Sequence, residues 1–328
     1  MIPLIRETLQ TQLMEYCPSI VNSQLTHKFH FVHRLDFITS GVVCIALHRK
    51  AAKAAGDSFT NRKARKYYVA LVRGWIEGNR LSIQLAIGED SQELETSKKM
   101  CVEMDPRCLR PREAITRLIV LQRGLYDGYP ATKILMRPLT GRRHQLRMHL
   151  SHIGHTIIGD FTYSQRKDIT PPRTFLHSLR LVLPNPIEHL DIKTEDPFSR
   201  VPKWKILETI HTFSKSFHLL DDDSDNVSDF FFHQNRGSAR SQLAIASDPC
   251  GMSEACRHLL DTLCNLNCSG DLLPFLHLQT RSLFSDIFLF KLVFIPMTQV
   301  GRDCCFPNQA KLLQKSVLKC APIQLLSG

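Results

Sequence analysis

The 328-residue chain has no uncharged apolar run of the length, about 18 residues, that a membrane-spanning helix needs. Its best stretch, Leu283 to Met297, is short and is interrupted by Asp286 and Lys291. The opening segment MIPLIRETLQ carries no basic stretch ahead of a long apolar core, so no secretory signal is read there. The 11 cysteines are too few and too unevenly spaced for a disulfide scaffold in a chain of this length. Reduced thiols in an intracellular compartment are expected, with cytoplasm, nucleus and mitochondrion left open. Acidic residues are also in short supply. Lys+Arg is 42 against Asp+Glu 31, a formal +11, which favours a polyanionic partner, most often nucleic acid. Hydrophobic residues at 43% and charged residues at 22% exclude wholesale disorder.

The excess charge is uneven. Residues 1–210 carry a net +12 and residues 211–328 a net −1, while seven of the cysteines fall between Cys250 and Cys320. A polar acidic run, DDDSDNVSD at 221–229, reads as a linker or exposed loop and places a boundary near 205–215. We therefore expect a folded domain over 1–210 and a C-terminal extension over 211–328, poorly ordered and without an assigned function. No internal repeat is present.

The first 210 residues read as a mixed α+β domain. Gly41 to Leu47, Tyr67 to Trp75, Ile115 to Leu121, Thr132 to Met136 and Phe175 to Leu183 are β-branched or aromatic runs of strand length. The third and fourth are joined through the turn-rich RGLYDGYP. Residues 50–61 have helical character despite Gly56. Leu146, Leu150 and Ile153 share one face of a helix that Gly154 can end. Strands in hairpin order with few helices between them favour a largely antiparallel sheet.

Three clusters carry chemistry. In HFVHRLDFITSG (30–41), Arg34 and Asp36 are alternate residues of an extended segment and face one side; the plain alternative is a structural ion pair capping the loop. In NRKARKYYVAL (61–71), a basic run meets aromatics. Between Thr26 and Trp75 there are ten Lys/Arg against two acids, which suits phosphate neutralisation and base stacking; the alternative is a solvated helix end followed by core tyrosines. In LMRPLTGRRHQLRMHLSHIGHTIIGD (135–160), Arg137, Arg142, Arg143 and Arg147 precede any acid, and a Thr-Gly turn opens a helix; the alternative is a basic outer helix face. Histidines recur every three residues at His27, His30, His33 and at His149, His152, His155. Neither set has the carboxylate or cysteine partners of a familiar metal site, and Cys250, Cys256, Cys264 and Cys268 lack paired zinc spacing, so no metal is expected.

Taken in order, HRLD-x-x-TSG (33–41), the stretch Lys66-Tyr67-Tyr68-Val69-Ala70-Leu71-Val72-Arg73-Gly74, and PLTGRRHQLRMH (138–149) with GHTIIGD (154–160) resemble the RluA-type RNA pseudouridine synthases. RETLQTQL, LAIGED, RGLYDG and FLHSLRL fall in place, so the resemblance covers about residues 5–210. It implies a pseudouridine synthase fold with a central cleft, no cofactor and no metal. The implied activity is isomerisation of uridine to pseudouridine in structured RNA; a monomer is expected, with the oligomeric state otherwise left open. It also implies that Asp36 is the catalytic aspartate, that Tyr68 stacks on the target base and helps remove a proton, and that Arg147 pairs with Asp36. Arg34 would help extrude the base. Gly41 and the Thr140-Gly141-Arg142 turn would shape the pocket walls, and Lys66 and His144 complete the implied substrate-binding set. Two departures stand out. Strands that family members carry ahead of the RETLQTQL helix have no counterpart here, from which an exposed sheet edge and an incomplete pocket floor are expected. Thr156 stands where the family often has proline. A catalytically silent RNA-binding protein and a zinc-dependent hydrolase using the histidines are the rival readings.

Overall fold

The computed structural model describes residues 8–222, and residues 287–292 as backbone. In chain order the elements are α1 (Leu9–Tyr16), β1 (His30–Phe31), β2 (Ser40–Ala46), α2 (Arg49–Thr60), β3 (Arg65–Arg73), β4 (Arg80–Gln84), β5 (Ile87–Asp90), β6 (Met100–Val102), β7 (Cys108–Arg112), β8 (Ile115–Tyr126), β9 (Tyr129–Pro138), α3 (Gln145–His152), β10 (Leu176–Leu183), β11 (Leu190–Lys193), β12 (Trp204–Thr209), α4 (Phe213–Asp221) and β13 (Ile287–Leu292). The expected strands and both expected helices are present within a few residues.

The main sheet follows the order β1-β2-β10-β3-β9-β8-β12, with β11, β13 and β4 paired to β10, β2 and β8. Its pairs are antiparallel except β2 with β10. β5 is the middle strand of a separate three-stranded sheet. Interior strands explain the apolar runs. Every residue of β2 is buried: Val42, Cys44 and Ala46 meet Ala51 and Ala55 of α2, whereas Val43 and Ile45 meet Leu13 of α1. The alanines of α2 lie at i and i+4, so the helix backbone comes close to the sheet. β3 alternates in the same way. Tyr67, Val69 and Leu71 enter one core with Phe217 and Leu220 of α4. Ala70 and Val72, with the half-buried Tyr68, enter the other beside Leu146 and Leu150 of α3. Tyr68 therefore faces the α3 side of the sheet.

Three differences from the sequence reading have physical causes. RGLYDGYP is not an open turn: the ladder runs on to Tyr126↔Tyr129, and only Asp127 and Gly128 leave it, both at positive φ (53° and 83°), as a two-residue hairpin turn requires. Gly124 reads as a turn signal but is a close-approach residue. A Cβ there would lie 2.1 Å from the Lys205 carbonyl oxygen of β12. α4 lies beyond residue 210 yet packs on the same core, because Phe213, Phe217 and Leu220 recur at i, i+4 and i+7 and Tyr67 Oη donates to Asp221 at 2.5 Å. The edge of β2 is not left open, since β13 pairs with it from Ala46 to Gly41. The rest of the expected extension lies outside the described residues.

Candidate active site

A cavity of about 630 Å³ opens where the β1–β2 loop, β3 and the β9–α3 connection meet. Arg34, Asp36, Lys66, Tyr68, Thr140, Gly141 and Arg142 all line it, so seven of the ten residues singled out in the sequence converge. Arg62 and Arg143 line it as well, and Asp36 is the only carboxylate among the lining residues.

The loop that presents Asp36 is anchored from beneath. The Cys44 amide of β2 donates to His33 Nε2 at 2.8 Å, and the His33 ring lies against Phe59 of α2 with centroids 4.9 Å apart. Burial, helped by the nearby Lys66 charge, pushes His33 down to about 4, so the ring is neutral and its Nε2 is an acceptor. The turn closes with the Thr39 amide donating to the Asp36 carbonyl at 2.8 Å.

Gly41 sits beside this loop but not on the cavity surface. Its φ is +115°, and a Cβ would fall 2.2 Å from the Ser178 carbonyl oxygen. Gly41 pairs with Ser178 of β10, which pairs in turn with Tyr68 of β3. The glycine therefore acts through the backbone: it lets β2 approach β10 closely enough to bring the Asp36 loop to Tyr68. This replaces the expected role in the pocket wall.

Burial pushes the Asp36 carboxyl above the ordinary carboxylate range. The charges of Arg147, Arg34 and Arg143 pull it back, and Asp160 adds to the rise. Burial and the Asp36 charge also raise Tyr68, against the opposing effect of a hydrogen bond with Ser178. Its phenol is therefore protonated at neutral pH, which makes it a donor and stacking surface in the resting site rather than a base. Burial lowers Lys66, whose ammonium lies close to Gly141 (3.3 Å from where a Cβ would stand).

The turn ahead of α3 is fixed by Gln145. Its Oε1 accepts from Thr140 Oγ1 at 2.8 Å and from the Arg142 amide at 3.0 Å, while its Nε2 donates to the Ile115 carbonyl at 2.9 Å. The Thr140 oxygen also accepts from the Ile115 amide at 2.9 Å. The Thr140 hydroxyl proton is thus already committed, and this residue shapes the wall rather than donating to a ligand.

Arg147 departs most from expectation. It is 4% exposed, is not on the cavity surface, and gives its Nε and Nη2 to Asp160 at 2.7 and 2.9 Å. It acts on Asp36 through space rather than through a hydrogen bond. The side-on fork of Asp160 matches a guanidinium edge and so takes the bonded position. The guanidinium carbon lies over the Tyr163 ring, 4.8 Å from its centroid. His144, in a left-handed conformation at the start of α3, also lies off the cavity surface. Burial and the charges of Arg147, Arg143 and Arg34 push it down to about 3, so its neutral Nδ1 meets Tyr163 Oη at 3.1 Å. Asp160, Tyr163, His33 and Gln145 were not assigned roles from sequence, although Asp160 closes the GHTIIGD motif.

Among the described residues no group of three or more His, Cys, Asp or Glu side chains converges as a metal site would require. His149 meets Thr116 Oγ1 at 2.9 Å and the Leu85 carbonyl at 3.0 Å. Cys250 to Cys268 lie outside the described residues.

Residues 8–152 match the family model described as RNA pseudouridylate synthase. Over 193 residues the chain is 44% identical to mouse (Mus musculus) RNA pseudouridylate synthase domain-containing protein 1, covering 58% of this chain and 63% of that protein. The zebrafish (Danio rerio) protein of that name is 42% identical over 63% of this chain and 71% of its own. The solved structure of human RNA pseudouridylate synthase domain containing 1 superposes with a TM-score of 0.59 at 38% identity, over 65% of this chain and 85% of that one. With these relatives and the cavity's residue set together, the chain belongs to the RNA pseudouridylate synthase family and has its mixed, mostly antiparallel fold.

Proposed function

We propose that this chain is an RNA pseudouridine synthase that uses Asp36 as its nucleophile. The observation that carries the reading is the charge arrangement of the cavity: one carboxylate, Asp36, faces an aromatic ring, Tyr68, inside a rim of five cations. Arg34, Arg62, Lys66, Arg142 and Arg143 suit the phosphates on either side of an extruded nucleotide. Tyr68 supplies a face for the unstacked base.

In this reading the target uridine leaves its stack and enters the cavity. The Asp36 carboxylate adds to it, at the sugar or at the base, and the N1–C1′ bond breaks. The freed uracil turns, a bond forms between C5 and C1′, the bond to Asp36 breaks and returns its carboxylate, N1 gains a proton, and the hydrogen of C5 leaves as a proton. Atoms balance without a cofactor or redox partner. The arginines near Asp36 offset the cost of holding it ionised where the base excludes water.

A second reading, a silent RNA binder, draws on the commitment of Arg147 to Asp160 and on the raised Asp36 carboxyl, both of which leave the nucleophile incompletely supported. Release of tritium from RNA labelled at uridine C5 separates the two. The synthase reading expects release by the unaltered chain and none by Asp36→Asn, with RNA affinity within about twofold because binding rests on the cations. Binding without release by the unaltered, folded chain would overturn it.

A further inference from the structure

We propose that Asp160 is a positioning residue of this site: by gripping one edge of the Arg147 guanidinium, it fixes where that charge stands relative to Asp36. The inference rests on the reading of the cavity as an isomerase site, and it assigns a role to a residue outside the cavity wall.

The geometry leaves Arg147 little freedom. Asp160 is fully buried and receives Nε and Nη2 at 2.7 and 2.9 Å, a two-point fork that sets both the plane and the direction of the guanidinium. Asp160 is itself held, because the Tyr163 amide donates to its Oδ1 at 3.2 Å and its own amide donates to the Ile157 carbonyl at 3.0 Å. The guanidinium also lies over the Tyr163 ring, whose hydroxyl accepts from the Met100 amide at 3.0 Å and meets His144. Among the described residues the Arg147 Nη1 carries no hydrogen bond, so that nitrogen is the part of the group not already spent.

The consequence is chemical. A carboxylate locked in its own two-point fork is stabilised in the charged form and loses basicity and nucleophilicity. Asp160 occupies the fork instead, so Asp36 feels Arg147 as a charge at a distance. The other charges acting on Asp36 are Arg34 of its own loop and Arg143 ahead of α3, with Tyr68 of β3 facing it. Asp160 is the one further anion in that set, and it weakens the pull of the arginines on the nucleophile.

The test is made on the full chain with ¹³C-labelled aspartate, following the Asp36 carboxyl resonance (identified by its loss in Asp36→Asn) against pH, alongside tritium release. In Asp160→Asn the Asp36 midpoint is expected to fall by about half a pH unit or more. The turnover number for release should drop about tenfold, with KM for RNA within about twofold, since no RNA-facing cation changes. An Asp36 midpoint that does not move overturns the proposal. If Asp160→Asn does not fold, Asp160→Glu keeps the charge but displaces the fork; a severalfold loss of turnover at unchanged KM is expected, and unaltered turnover overturns the proposal. A moved midpoint in a chain whose unaltered form releases no tritium would defeat the isomerase reading and leave the positioning role standing. Release by the unaltered chain with an unmoved midpoint would do the reverse.

Discussion

Replacing Arg147 by alanine is expected to cost the fold more than it costs RNA binding. Asp160 is fully buried and Arg147 is 4% exposed, and their two contacts of 2.7 and 2.9 Å form a complete fork. Truncation leaves the Asp160 carboxylate with one hydrogen bond from protein, the Tyr163 amide at 3.2 Å, and removes the cation over the Tyr163 ring. Breaking a buried pair by deleting one partner costs about 3–5 kcal/mol. Against a typical total of about 5–15 kcal/mol, that removes at least about a fifth of the stability. Urea unfolding followed by far-ultraviolet circular dichroism would measure it as a lower midpoint with an unchanged slope. The control is the double variant Arg147→Met with Asp160→Asn, which deletes both charges and should recover at least half of the loss, since replacing a buried pair with neutral groups is often close to neutral. A loss below about 1 kcal/mol in Arg147→Ala, or a double variant no more stable than the single one, would refute this account of the pair.

Three further outcomes follow from the same structure. Gly41→Ala should lower the melting temperature by several degrees and reduce turnover: left-handed backbone costs an L residue about 1–2 kcal/mol, and the new Cβ meets the Ser178 carbonyl 2.2 Å away. An unchanged melting temperature would show that β2 and β10 do not need this approach. Buried His149 titrates near 4 in the folded chain against an ordinary 6.5, so the unfolded state takes up its proton first on acidification. Folding stability should therefore fall as pH drops from 6.5 towards 4, by on the order of 3 kcal/mol from this residue, and denaturant midpoints of His149→Gln should be flatter across that window. Because Asp36 must be ionised and its carboxyl is raised, the acid limb of the tritium-release rate should inflect above the ordinary value of 3.8, so initial rates between pH 4 and 8 test it.

Much of the cavity was legible in the chain because its parts lie in short contiguous motifs. Arg34 and Asp36 are two residues apart on one extended loop, and Lys66 and Tyr68 alternate on one strand, so local geometry already places each pair on a common side. The central strands were legible for a related reason: buried on both faces, β2 and β3 read as unbroken apolar runs. The partner of Arg147 was not legible. Asp36 lies more than a hundred residues before it and Asp160 13 residues after it, and only the packed positions of α3 and the loop after it decide which carboxylate takes the fork. Gly41 misled for a similar reason, since its constraint comes from β10, more than a hundred residues on. The short strands β4 to β7 offered too few residues for any period to declare itself. In α4 the signal was present in Phe213, Phe217 and Leu220 but was overshadowed by the acidic run that follows.

An Asp36-dependent synthase must leave a carbon–carbon glycosidic bond in its RNA product. The direct measurement is nucleoside analysis of RNA from cells lacking this protein, incubated with the unaltered chain or with Asp36→Asn and then digested completely. A new nucleoside with the mass of uridine and the chromatographic position of pseudouridine, present only with the unaltered chain, is the expected result. The same nucleoside formed equally by both, or by neither while both remain folded and bind RNA, would contradict it.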